Sequence, residues 1–421
     1  MPDPAPAPRI AAIDAVRGVA VMGILFLNIV SFGMPDAAYL SPRAYGWAGP
    51  ADRFAYYLSF VLFDGKMRGL FSFLFGASLL LIVDRAEAAG ANPAAIHYRR
   101  MAWLALFGLA HAVLLWLGDI LLHYAIIGSL AYGFRHFPVR KLMLFGLTFA
   151  LVELLLMGTI PLSWLAMQAE GGARAAAKLH AFEEAFGIPD PATIARQLAL
   201  FRGGYGGIVA FHLREMPDVL SDTFVVGFET LAYMLFGMAA LRSGLLTGAW
   251  PRARYRRWAI VGLGVGGGGY ALLAAWMAAR GLDSLAVASG PLVLGGPLRI
   301  AMIPGWAALI VLATRGGGTA GRRLAAVGRM ALSNYLATSI AMCALFYGWG
   351  FGLYGHLSRA QLYLPVAGMC IGMLWWSPLW LARFRYGPFE WAWRSLARWQ
   401  WQPLRVEARG TARQAVATDT Q

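Results

Sequence analysis

The sequence predicts an all-α, polytopic integral membrane protein of about ten transmembrane helices, with both ends in the cytoplasm. Three observations predict it. Of 421 residues, 59% are apolar and 14% are charged, against roughly 45–50% and about 25% in soluble domains. Apolar runs recur near the length of about 20 residues that a helix needs to cross a bilayer. The net charge of +15 sorts to one side of that arrangement, as the positive-inside rule requires. The same figures exclude an ordinary soluble enzyme and a disordered chain. No stretch alternates with period two, so strands are not expected.

The runs cover residues 12–33, 55–83, 101–118, 120–134, 141–160, 220–241, 257–279, 291–313, 328–348 and 362–382. Gly118-Asp119 separates the third from the fourth, which predicts a tight helical hairpin. The second is too long for one span, so an outer half-helix is expected to turn near Gly65 into a span from about 67 to 84. An even number of spans puts both ends on one side. That side then holds 23 basic and 6 acidic residues, and the opposite side 9 of each. The excess charge is topology and gives no reason to invoke nucleic acid. Residues 1–11 read as a disordered lead-in, 12–382 as the helical domain, 383–402 as an aromatic and basic interfacial segment, and 403–421 as a disordered tail. Within the domain, 161–219 reads as an outer insertion with short amphipathic helices. Cys343 and Cys370 fall in separate spans, so no disulfide is expected. The run Gly262–Gly269 lies inside a span without the strand that a dinucleotide loop requires. Gly264 and Gly268 fit a small-residue helix contact instead.

An ionised side chain at mid-bilayer costs about 2.5–3.5 kcal/mol on insertion scales, so each one needs a partner, a wet cavity or a function. Two clusters stand out. The outer one contains Asn28, Asp64, Lys66, Arg68, His111, Asp119, His123, Glu153, Asp222, Glu229 and Arg299. Asp119 and His123, at i and i+4, are expected to share a helix face, and a carboxylate that orients a histidine makes a general base. The inner cluster contains Asp14, Arg17, Arg329 and Asn334, and Arg100 could assist it. Arginines there suit the phosphates of a cytosolic cofactor. Plainer readings compete: an Asp14–Arg17 ion pair, snorkelling by Lys66 and Arg68, a satisfied core His111, and helix capping by Asp119. The histidines show no metal-binding spacing, so no metal is expected.

Several stretches carry a family resemblance. They are Arg9-Ile-Ala-Ala-Ile-Asp14-Ala-Val-Arg17-Gly18 running on to Asn28, Gly65-Lys66-Met-Arg68 through Gly76, His111 with Gly118-Asp119, Gly328-Arg329 through Asn334-Tyr335, and Gly387-Pro388-Phe-Glu390-Trp391. Together they resemble the YeiB-like bacterial membrane proteins over about residues 9–400. The family is distantly similar to transmembrane acyltransferases of the heparan-α-glucosaminide N-acetyltransferase type. The shared pieces are Asp14/Arg17/Gly18, Asn28 and Phe71/Phe73/Gly76. The acetyltransferase type carries its catalytic histidine in the loop after span 1, whereas residues 34–53 here contain none.

The resemblance implies an acyltransferase of the bacterial cytoplasmic membrane that uses acyl-CoA as donor. His111 or His123, oriented by Asp119, would be the base, with Asn28 and Lys66 stabilising the oxyanion. Arg17, Arg329, Asn334 and Arg100 would hold the cofactor, and Asp64, Arg68, Glu229 and Arg299 the acceptor's side. Expected partners are the bilayer, an outer-side small-molecule, lipid or glycan acceptor, and a second copy in a homodimer. The alternative is a proton-coupled transporter or exporter, since intramembrane Asp, Glu, His and Arg mark such proteins equally.

Overall fold

In a bilayer every backbone N–H and C=O must be paired within the protein, which leaves helices as the solution for a chain of this pattern. The computed structural model describes residues 10–406. Residues 1–9 of the expected lead-in and 407–421 of the expected tail lie outside the described residues. The helices are α1 (Ala11–Gly33), α2 (Ala37–Leu40), α3 (Pro50–Leu62), α4 (Lys66–Ala88), α5 (Pro93–Leu114), α6 (Leu121–Ala131), α7 (Val139–Glu170), α8 (Gly172–Phe186) and α9 (Pro191–Phe201). They continue with α10 (Tyr205–Arg242), α11 (Arg252–Ala279), α12 (Ser284–Ser289), α13 (Gly295–Thr314), α14 (Thr319–Arg329), α15 (Ala331–Phe346), α16 (Tyr363–Arg383) and α17 (Pro388–Arg398). The protein is an all-α polytopic membrane protein. Seven segments are long and apolar enough to cross a bilayer: α1, α3–α4, α7, α10, α11, Ser284–Thr314 and α16. Two shorter apolar helices, Leu121–Phe134 and Ala331–Phe346, accompany them.

Local chemistry explains the breaks. Gly65 adopts φ +66° between α3 and α4, a left-handed conformation that glycine takes without a Cβ penalty. The turn expected there is thus present. Asn92 caps α5 through Ala95 N–H at 3.1 Å, with Pro93 in the first turn. Residues Gly290–Leu294 form a wide π turn between α12 and α13.

Three expectations are refined. The segment 161–219 is not made of short helices alone, because α7 runs on to Glu170 and α10 already begins at Tyr205. At 1.5 Å per residue these helices extend about 48 and 57 Å, well past a hydrocarbon core of about 30 Å. The glycine contact on α11 is made by Gly262 and Gly266, where an added Cβ would stand 2.6 Å from Ala301 O and 2.0 Å from Met302 Cγ on α13. Gly264 and Gly268 face open space. Finally, residues 403–406 are held rather than loose: Arg385 N–H donates to Leu404 O at 2.8 Å and Val406 N–H to Arg383 O at 3.1 Å.

A close helix crossing joins α1 to α14. A Cβ on Gly18 would stand 2.1 Å from Leu324 O, and one on Gly328 would stand 1.8 Å from Asp14 O. Two glycines thus let the backbones touch, which sets Arg17 beside Arg329. Overpacking such a contact costs about 1–3 kcal/mol or more. Gly328→Val is therefore expected to lower the thermal unfolding midpoint in detergent, while Gly264→Val leaves it within about 1 °C, the surface-substitution range. An unchanged midpoint for Gly328→Val would contradict the crossing.

Candidate functional site

Both described chain ends meet at one face, where Ile10, Arg385 and Arg394 line the mouth of a cavity of about 270 Å³. Six arginines surround this cavity: Arg17, Arg85, Arg100, Arg329, Arg385 and Arg394. Against them stand two carboxylates, Asp14 and Glu390. Deeper in, the wall turns apolar through Ile24, Phe75, Leu79 and Leu104, and it reaches Ile120, Tyr124 and Tyr335.

Each mouth residue is positioned by its helix. Arg17 pairs with Asp14 at 3.0 Å, as the i, i+3 spacing predicts, and also donates to Ser78 Oγ at 2.8 Å. Arg100 lies 4.0 Å over the ring of Trp393, whose indole N–H donates to Arg100 O at 2.9 Å. Arg17, Arg394 and Arg398 lie close enough to repel Arg100. Such crowding of like charge favours an anion. Arg329 donates to Arg385 O at 3.4 Å. Glu390, on α17, accepts Leu332 N–H at 2.7 Å and Ser333 N–H at 3.0 Å. Its carboxylate therefore caps the N-terminus of α15, where the helix dipole favours negative charge. This contact holds α17 against the cavity.

At the outer end of α5 the expected pairing changes. Asp119 contacts His111, with Oδ1 2.8 Å from Nδ1. The oxygen sits off the line of a ring N–H, so the contact is electrostatic and not an aligned hydrogen bond. The other oxygen of Asp119 caps α6 through Leu122 N–H at 2.7 Å. His123 does not touch Asp119; its Nε2 bonds Thr230 Oγ1 at 2.8 Å. The hairpin turn curls Asp119 back toward α5. Gly108 allows this, since a Cβ there would meet Leu122 N at 2.2 Å. His111 Nε2 is buried without a hydrogen-bond partner, and the His111 ring lies 5.1 Å from that of Tyr335, which lines the cavity.

A second cluster crosses the bundle. Glu229 on α10 accepts from Arg68 at 2.5 Å, from Arg299 Nε at 2.9 Å and from Tyr233 at 3.0 Å. Arg299 Nη1 also donates to Pro291 O at 2.8 Å. Lys66 is fully buried; its ammonium bonds Phe60 O at 2.5 Å and stands 3.0 Å over the Tyr270 ring. Asp64 Oδ2 is buried without a hydrogen-bond partner and interacts electrostatically with Lys66 and Arg299. Tyr124 separates this cluster from the arginine-mouthed cavity, bonding Ser72 at 2.9 Å and Arg68 O at 3.2 Å. A second cavity of about 180 Å³ touches Glu153, Glu229 and Arg299 from the other side. The two cavities share no lining residue.

Of the sequence-predicted residues, Arg17, Arg100 and Arg329 thus converge on one cavity, and Glu229 and Arg299 on the other. Asn334 lines neither. Its amide bonds Val327 O at 3.1 Å, Ser377 Oγ at 3.2 Å and Trp376 Nε1 at 2.9 Å, which ties α14, α15 and α16 together. Asn28 is half-buried and also lines neither cavity. Asp222 is exposed.

Sequence reading missed three groups. Arg85, Arg385 and Arg394 looked like topology signals, and nothing in their spacing distinguishes mouth residues from loop charge. His212 fell in the supposed extramembrane insertion. It is buried, donates from Nδ1 to Val113 O at 3.1 Å, and lies near enough to His111 to interact electrostatically. Arg359 was read as loop charge, yet it is buried and donates to Ala38 O at 2.9 Å. Among the described residues, the grouping with metal-like spacing is His180, Glu184 and Asp190 on α8 and the loop after it. Its histidine and aspartate are exposed and pair with each other at 3.4 Å.

These helices and cavities define a class: a polytopic helical membrane protein with charged networks held at membrane depth. Comparison with known proteins then gives the family. The profile "Protein of unknown function (DUF418)" matches residues 240–400, the part of the chain that supplies Arg329, Arg385, Glu390 and Arg394. "Uncharacterized protein YxaH" of Bacillus subtilis (strain 168) is 30% identical over 419 residues, covering 94% of this chain and 96% of that protein. "Uncharacterized protein YeiB" of Escherichia coli (strain K12) is 31% identical over 413 residues, covering 92% and 96%. The chain belongs to this YeiB-like DUF418 family. No solved structure matches it.

Removing one partner from a buried ion pair costs roughly 3–5 kcal/mol, because the remaining charge stays buried. Glu229→Gln leaves both Arg68 and Arg299 without their carboxylate. It is expected to destabilise the protein by about that amount, and adding Arg299→Met is expected to restore part of the loss. Chaotrope unfolding of the reconstituted protein measures both, and additive losses would show that Glu229 and Arg299 are not coupled.

Proposed function

We propose that this protein is an acyltransferase of the bacterial cytoplasmic membrane, moving an acyl group from cytosolic acyl-CoA to a hydroxyl or amine acceptor at the outer side. One observation carries the reading: an apolar cavity whose mouth is lined by six arginines. An acyl-CoA has the matching halves, polyanionic phosphates and an apolar chain. Guanidinium groups bind phosphate in bidentate fashion, so Arg17, Arg100 and Arg329 would hold the phosphates. The chain would follow Ile24, Phe75 and Leu79, bringing the thioester toward Tyr124 and Tyr335.

His111 is the general base in this reading, and Asp119 orients it. The imidazole takes the proton from the acceptor's hydroxyl or amine as that atom bonds to the thioester carbon. The carbon–sulfur bond then breaks, and the departing CoA thiolate takes the proton from His111. Asn28 lines neither cavity and has no oxyanion role in this reading. Lys66, whose ammonium is engaged by Phe60 O and Tyr270, supports the neighbouring ion network instead.

The second reading is proton-coupled transport. The Arg68–Glu229–Arg299 network between two cavities favours it, because buried ion pairs at membrane depth are also the elements of proton relays. It predicts flux in proteoliposomes that follows a proton gradient and ignores CoA.

The test measures binding of palmitoyl-CoA, CoA, palmitate and dipalmitoyl phosphatidic acid to the purified protein. Palmitoyl-CoA is expected to bind tightest. Arg100→Glu with Arg329→Glu is expected to weaken it at least tenfold, and the remaining affinity should vary less with salt. His111→Ala is expected to keep binding and to lose at least a hundredfold in CoA release, within the range for a general base. Equal binding of palmitoyl-CoA and phosphatidic acid would point to a lipid-headgroup site and overturn the donor assignment.

A further inference from the structure

The second cavity lies between α7, α10 and α13, and its rim is apolar: Leu147, Leu151, Leu154, Leu292 and Ile300. Leu147 and Leu151 are half exposed. They sit mid-way along α7, a candidate membrane span that buries little of itself in the protein. The cavity therefore opens sideways into the hydrocarbon of the bilayer, and its ligand must reach it from the lipid phase.

One acid stands in that setting. Of the 32 residues of α7, those buried are Leu142, Gly146 and Glu153. They recur at helical spacing along the face turned to the bundle, and the last of them is a carboxyl. Glu153 is 8% exposed, and its Oε2 has no hydrogen-bond partner. A buried acceptor without a donor costs free energy unless a ligand supplies one.

Arg299, beside it on the cavity wall, is already engaged by Glu229, Pro291 O and the hydroxyls of Tyr270 and Tyr233. Gly296 leaves the wall open there; a Cβ would stand 3.9 Å from Arg299 Nη2. Charge narrows the choice of ligand. Arg299, on the cavity wall, is paired with Glu229, so no cation is left for an acidic head. The cavity thus presents one unpartnered acceptor in an apolar frame, and a hydroxyl is a neutral group that donates to it. The π turn at Gly290–Leu294 frees the Pro291 carbonyl that anchors Arg299, and such turns recur at functional sites.

We propose that this lateral cavity binds the hydroxyl head of a membrane-dissolved amphiphile, with the hydroxyl donating to Glu153. The site is independent of acyl-CoA, since it shares no lining residue with the arginine-mouthed cavity.

The test is photolabelling in phosphatidylcholine nanodiscs, without CoA, using hexadecanol that carries a diazirine at carbon 3. Labelled peptides are read by mass spectrometry. Label is expected at Leu147, Leu151, Leu292 or Gly296. Excess hexadecanol is expected to compete, while hexadecanoic acid and hexadecane are not. Glu153→Leu and Gly296→Leu are each expected to reduce the label at least fivefold, with Leu155→Ala on the exposed face of α7 as the unaffected control. The two variants guard each other should one fail to fold. Label spread evenly over the exposed face of α7, equal competition by hexadecanoic acid, or label unchanged in a folded variant of either position would overturn the proposal.

Discussion

The interior is organised around one carboxylate that neutralises two guanidinium groups. Glu229 on α10 accepts from Arg68 on α4 and from Arg299 on α13, so three helices are joined by charge in a medium where an unpaired charge is costly. The break between α3 and α4 follows from it. Arg299 packs so closely on Gly65 that a Cβ there would meet its Cδ at 2.5 Å, and the left-handed turn at Gly65 starts α4 at Lys66. Lys66 then turns onto the Tyr270 ring and Phe60 O. A single bridging acid thereby sets where the second span begins and which way its first turn faces.

The arginine-mouthed cavity is assembled differently. Gly18 and Gly328 let α1 and α14 touch, which brings Arg17 and Arg329 to one opening. Glu390 pins α17 to the start of α15, and Trp393 stacks on Arg100. Arg17, Arg394 and Arg398 repel Arg100 there, and Asp14 and Glu390 offset part of the charge. Backbone contact and helix capping hold these groups in place.

The two cavities open in different directions. One opens at the face where the chain ends meet, the other sideways between α7 and α13. Tyr124 and its bonds to Ser72 and Arg68 O stand between the first cavity and the Glu229 network. His111 and Asp119 sit behind Tyr335, with His212 close by. Polar chemistry is thus spread over separate depths and not collected in one pocket.

Most of the architecture was legible in the sequence, because bilayer thickness fixes the length of an apolar run and backbone pairing fixes it as helix. The turn at Gly65, the hairpin at 118–119 and the Asp14–Arg17 pair follow from local spacing, and local spacing is what sequence displays. The length of α10 was missed because a helix extending beyond the bilayer loses its apolar signature at the interface. The contact face of α11 was misplaced by two residues, since a run of glycines fits several registers and only α13 selects Gly262 and Gly266. Only the tertiary structure paired Asp119 with His111 instead of His123, because a turn that curls back on α5 is invisible to i, i+4 counting. Likewise, only packing turned Arg85, Arg385 and Arg394 from loop charge into cavity wall. Sequence by itself determined which charges the membrane has to accommodate. The fold decided which of them meet, because their partners lie on helices far apart in the chain.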